Sequence, residues 1–243
     1  MSSVSTPPAP SLDSVFSAVR SQTAFEETVS RLGTAIKLGL LEPGVRLPPE
    51  RELCSQLGIA RSTLRQALTA LTESGLLYAV RGRGGGTFVA DPLPPVDPPS
   101  AELLAGWVEA CDARLAVELA CAALAATRAS AESLEAIADL VEQLDELMDD
   151  FEAYRQADVR LHMTLAEATG SERLVAAMTQ AQGEMTDLIS FIPHPREVLS
   201  HANEQHAQLL AALRERDAAR ALSIMADHVH GTEHVLEIGR AHV

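Results

Sequence analysis

Asp158 and His162 stand four residues apart in ADVRLHMTLAEATGS, so on a helix they face the same way. His206 and His228 lie on two later stretches of helical pattern. One carboxylate and three imidazoles converging in a bundle core would bind a divalent transition metal such as zinc or nickel, with positions left open for ligand oxygens. His230 and His234 form another i, i+4 pair, and spacing alone makes them an equally good clamp. A second chemistry is carried by arginine. Arg61 and Arg65 are one turn apart on a shared face, with Ser62 and Thr63 at the helix start. Arginine can hold guanine through O6 and N7, while small hydroxyls and a helix N-terminus suit phosphates. Arg81 and Arg83 in RGRGGG could reach a minor groove or backbone, because the glycines let the chain approach closely.

The elements needed to position these groups are legible in the hydrophobic spacing. Val29, Leu32, Ile36 and Leu40 predict a first helix over 25–40, ended by Glu-Pro-Gly at 42–44. Pro48 and Pro49 precede ERELCSQL, a second helix closed by Gly58. Leu64, Ala67, Leu68 and Leu71 predict a third over 60–74, ended by Gly75. LLYAV and TFVA then read as a hairpin with RGRGGG at its tip. Two short helices about a tight turn at Gly58 and Ile59, followed by a hairpin, form a winged helix-turn-helix. DPLPPVDPPS, residues 91–100, has five prolines and favours an extended spacer between two domains. Beyond it the pattern is helical throughout, with breaks near 129–130, 169–171, 193–195 and 216–217, as in an antiparallel bundle.

Charge divides along the same boundary. Residues 1–91 hold nine Lys/Arg and eight Asp/Glu, whereas residues 92–243 hold ten and twenty-six, so the chain's net charge of -15 belongs to the C-terminal part. Residues 58–90 carry four arginines against Glu73 alone, a local balance suited to phosphates. Cys54, Cys111 and Cys121 lack any Cys-x-x-Cys pair and are expected to be buried free thiols. No strand-loop-helix unit surrounds RGRGGG, which excludes a P-loop or dinucleotide site, and no apolar run is long enough for a membrane span. MSSVSTPPAP has neither the basic start nor the apolar core of a signal peptide, so a cytoplasmic protein is expected.

The stretch LEPGVRLPPERELCSQLGIARSTLRQALTALTESGLL with the wing RGRGGGTFV resembles the N-terminal domain of the GntR regulators. The resemblance implies DNA contacts by Arg51 in PEREL, by Arg61, Ser62 and Arg65 in ARSTLRQ, and by Arg81 and Gly82 of the wing. Ser62 stands where other members often have threonine, which keeps the hydroxyl. DARLAVELACAALAA, ADVRLHMTLAEATGS and NEQHAQLLAALRERDAARALSIMADHV are similar to the ligand domain of the FadR subgroup, the helical FCD type. Its metal-binding members match Asp158, His162, His206 and His228, so the resemblance selects His228 over His230 and His234. It also implies that Arg114, the sole basic residue of DARLAVELACAALAA, holds a ligand carboxylate. A surface salt bridge with Asp112 or Glu118 is the alternative for that arginine. Ser171 in TGSERL replaces a frequent asparagine of the subgroup.

The expected architecture is an α+β winged helix-turn-helix domain followed by an all-α antiparallel helical bundle. Its expected parts are a disordered tail (1–18), a DNA-binding domain (19–90), a proline-rich linker (91–100) and an effector-binding and dimerisation domain (101–240). One recognition helix reads a half-site, so a homodimer on a short palindromic operator in double-stranded DNA is expected. The expected function is a regulator, acting as a repressor, with a small organic acid as effector and zinc or nickel as cofactor. A metal-dependent hydrolase fused to a DNA-binding module is the alternative, since such a site could activate water. No companion general acid or base is apparent in the sequence, which favours a sensor.

Overall fold

The computed structural model describes residues 23–95, 105–189 and 195–240, with side chains up to residue 233. The expected tail and residues 96–100 of the expected linker lie outside them. Helix α1 (Ala24–Lys37) starts at Thr23, whose hydroxyl accepts the Glu26 N–H at 3.2 Å while the Glu26 carboxylate accepts the Thr23 N–H at 2.8 Å. This reciprocal box satisfies donors that a first turn otherwise leaves unpaired. The helix stops short of Leu40, where it was expected to end, because Gly39 turns the chain with φ of +69°. Helices α2 (Glu50–Leu57) and α3 (Arg61–Glu73) meet at Gly58, whose φ of +65° a side chain would strain. Ala60 and Ser74, read from the sequence as helical, are the caps of α3. Strands β1 (Leu77–Val80) and β2 (Gly86–Val89) pair antiparallel, Leu77 opposite Val89 and Val80 opposite Gly86. Leu32, Ile36, Leu53, Leu64, Leu71 and Val89 join these elements in one apolar core. Each such side chain contributes about 1.5–3 kcal/mol on burial.

The second domain is all-helical among the described residues: α4 (Trp107–Arg128), α5 (Ala131–Glu146), α6 (Phe151–Glu167), α7 (Glu172–Ile189), α8 (Arg196–Arg214) and α9 (Ala218–Arg240). Helix α4 packs against α6, α7, α8 and α9, and small side chains at Ala122, Ala125 and Ala126 allow that close surround. The expected turns at 129–130, 169–171 and 216–217 are present, and Ser130 caps α5 by accepting the Ser133 N–H. A further break at 147–150 was not expected. LMDD lacks glycine and proline, and the turn is set by Asp150, whose carboxylate accepts the Ala153 N–H at 3.1 Å.

The two cores touch. Leu38, just after α1, is buried in the core of the helical domain, and Lys37 pairs with Asp187 of α7 at 3.1 Å. Leu93, in the expected spacer, packs on the first domain's core. Cys111 and Cys121 are buried as expected, but Cys54 is only half-buried, packed at the edge of the first domain's core. No helix among the described residues is long and apolar enough to cross a membrane.

Candidate functional site

Helix α3 presents Arg61, Ser62 and Arg65 to solvent, with Thr63 half-buried beside them, while Leu64, Ala67, Leu68 and Leu71 face inward. Its first turn has no acidic residue, and its N-cap, Ala60, offers no side-chain acceptor. The positive end of the helix is therefore open to an anion. Arg51 is exposed on α2. Arg81, Gly82 and Arg83 form the exposed tip of the hairpin, where Gly82 has φ of +99°. The Arg46 guanidinium braces that tip by donating to the Gly85 carbonyl at 2.5 Å. One partner escaped the sequence reading: Glu50 of α2 accepts from Arg61 Nε at 2.9 Å and from Arg65 Nε at 3.0 Å. These contacts, Arg61's first, hold the Glu50 carboxyl below its ordinary range. They cross the turn between two helices, so no spacing within one helix announces them.

The second constellation is buried. Asp158 and His162 of α6, His206 of α8 and His228 of α9 bring one candidate ligand atom each to within 4.8 Å of one another. Asp158 Oδ1 lies 3.6 Å from His162 Nε2 and 3.5 Å from His206 Nε2. The ring centroids of His206 and His228 are 4.5 Å apart. His230 is exposed, and the side chain of His234 lies outside the described residues. His162 Nε2 and both ring nitrogens of His206 are buried without a hydrogen-bond partner. Buried polar atoms ordinarily find partners, so two such Nε2 atoms converging on one carboxylate oxygen fit a metal-ligating set. The donors, three imidazoles and a carboxylate, fit zinc or nickel.

Electrostatics separate the three imidazoles. Burial pushes His162 down, but the Glu118 and Asp158 carboxylates outweigh it and hold its pKa at about 9. Burial lowers His206 to about 4, against the pull of Asp158, and it drives His228 well below its ordinary value with help from His206. Burial would raise Asp158, yet His162 and Arg155 keep it ionised.

Arg114 of α4 is buried and pairs through Nε with Glu118 Oε1 at 3.3 Å. The partner foreseen for a surface bridge is thus present, but in the core. Arg155 of α6 donates to Asp158 Oδ2 at 2.5 Å and to Gln182 Oε1 of α7 at 2.9 Å. Beside the cluster lies a cavity of about 360 Å³, whose lining includes Arg114, Arg155, Asp158 and His228 with apolar Phe151 and Ile189. Two arginines in a largely apolar lining that also carries Asp158 and Glu197 suit a small carboxylate with an apolar body.

Residues 109–231 match the FCD domain family, and residues 25–89 match the family of bacterial regulatory proteins called gntR. The chain is 32% identical over 220 residues to a regulatory protein named for the L-lactate dehydrogenase operon of Escherichia coli (strain K12), covering 84% of this chain and 83% of that protein. It is 27% identical over 211 residues to the HTH-type transcriptional regulator LutR of Bacillus subtilis (strain 168), covering 83% of this chain and 95% of that one. A solved structure, E. coli McbR/YncC, superposes with a TM-score of 0.55 at 21% identity, covering 90% of this chain and 99% of that one, and shares the fold.

Proposed function

The chain belongs to the GntR family of bacterial regulatory proteins and is a DNA-binding transcription regulator with an FCD ligand-binding domain, and on that premise we propose a homodimeric, cytoplasmic repressor whose helical domain senses a small organic acid. The observation that carries the sensor reading is the buried cluster of Asp158, His162, His206 and His228, of which Asp158 and His228 line the 360 Å³ cavity. A divalent metal there would supply open coordination positions for carboxylate oxygens. Arg114 neutralises the acid's remaining charge, and the apolar wall at Phe151 and Ile189 excludes water from its body. Arg61 and Arg65 read base edges in the major groove, Ser62 and Thr63 meet phosphates at the start of α3, and Arg51, Arg81, Gly82 and Arg83 hold the flanking backbone. Twofold pairing of such domains matches a short palindromic operator in double-stranded DNA. Sensing is preferred to hydrolysis because the relatives are transcription regulators.

A thermal-shift screen of organic acids, with zinc or nickel supplied and again after chelation, tests this reading, since a ligand that binds only the folded chain raises its melting temperature. An acid that stabilises only the metal-loaded chain and alters its affinity for a duplex selected from random DNA supports it. Stabilisation that survives chelation removes the metal's role, and turnover of the acid removes the sensor reading.

A further inference from the structure

Glu118 lies outside the four-residue cluster and is wholly buried at the middle of α4. Both of its oxygens are engaged. Oε1 accepts from Arg114 Nε at 3.3 Å and from Gln182 Nε2 at 2.8 Å, and Oε2 lies 2.8 Å from His162 Nδ1. The Gln182 amide is oriented independently, because its Oε1 accepts from Arg155. A carboxylate that already accepts from a guanidinium and an amide can only accept from the imidazole as well, so Nδ1 of His162 carries a proton. The other ring nitrogen, Nε2, is buried without a hydrogen bond and lies 3.6 Å from Asp158 Oδ1.

We propose that Glu118 is a positioning residue for the metal centre: by holding the Nδ1–H of His162 it fixes the ring and turns Nε2, as a lone-pair donor, toward Asp158, His206 and His228. The inference rests on the metal reading above and deepens it. A burial cost alone would not retain a carboxylate here, since a structural ion pair with Arg114 would leave the second oxygen free of any particular neighbour, whereas Oε2 is spent on the one histidine that shares a helix face with Asp158. Carboxylates behind ligating imidazoles orient the ring and raise its basicity. His228 has a weaker counterpart, in that Gln205 Oε1 lies 3.3 Å from its Nδ1, while neither nitrogen of His206 is held this way. Glu118 and Gln182 also tie the centre to α7, the helix whose Asp187 pairs with Lys37 of the DNA-binding domain.

The test uses the full chain and zinc alone. Nitrogen-15 spectra of the imidazoles in the zinc-loaded wild type are expected to show His162 protonated at Nδ1 and coordinated through Nε2; coordination through Nδ1 overturns the proposal without any mutation. Glu118→Gln, which keeps shape and one acceptor but removes the charge, is expected to weaken zinc binding by about 10 to 100-fold in chelator competition. A zinc affinity within twofold of the wild type, in a variant that melts cooperatively, limits Glu118 to a structural role. Absence of zinc binding in the wild type overturns the metal reading itself, and this inference with it.

Discussion

His206→Leu should move stability in opposite directions with and without metal. In the metal-free chain the imidazole is 1% exposed, and both its nitrogens lack hydrogen bonds. An unsatisfied buried polar group costs about 1–3 kcal/mol, and leucine of similar size removes that cost while filling the space. For a chain of this length 1 kcal/mol corresponds to roughly 2–4 °C, so melting in the presence of a chelator should rise by about 5 °C. Asp158 keeps Arg155 and His162 as partners, which prevents the substitution from exposing a lone buried charge. With zinc at about a hundredfold excess over its dissociation constant, the wild type should gain about 2.7 kcal/mol, and the variant, having lost a ligand, should gain little. Calorimetry of both chains under the two conditions measures all four values. A metal-free variant that melts several degrees below the wild type, or one that retains the full zinc-induced rise, refutes the reasoning.

Arg61→Ala or Arg65→Ala should weaken operator binding by about 1–3 kcal/mol and relax sequence preference, measured by fluorescence anisotropy on matched and mismatched duplexes. Unchanged affinity in both variants removes them from readout. Arg83→Ala, at the exposed wing tip, should weaken all duplexes alike and lower the slope of log affinity against log salt by about 1, and a sequence-dependent loss would contradict a backbone contact. The metal-free chain should be most stable near pH 6.5. His162, with a pKa held at about 9, lends stability that is complete below its unfolded value of 6.5 and is lost as pH rises toward 9. His206, lowered to about 4, refuses a proton that the unfolded chain accepts, so stability also declines as pH falls from 6.5 toward 4. A monotonic melting profile across pH 4–9 in chelator would contradict that pair of shifts.

The parts of this molecule that are periodic or punctuated were legible in its sequence. The leucines of α3, the glycine turn before it and the strand-forming runs either side of RGRGGG each state their element locally, and Asp158 and His162 share a helix face by their spacing. Contacts between distant segments were not legible. Glu118 meets His162 across 44 residues, and Glu50 reaches Arg61 and Arg65 around a turn, so neither leaves a periodic trace. Leu38 falls inside the helix expected over 25–40 but caps a shorter one and fills the second core, a contact with a distant segment that the local spacing does not announce. The break before α6 had a local signal, the N-cap Asp150, hidden in an acidic run that reads equally well as a solvated helix face.

Asp158, His162, His206 and His228, from three helices, are proposed to hold one divalent ion in the ligand domain. Elemental analysis of the full-length chain, purified without a histidine tag and dialysed after exposure to zinc or nickel, tests it most directly. One ion per chain is expected in the wild type and in His230→Ala, whose imidazole is exposed, and none in His206→Ala. A wild type without metal, or one ion retained by His206→Ala and lost from His230→Ala, would contradict it.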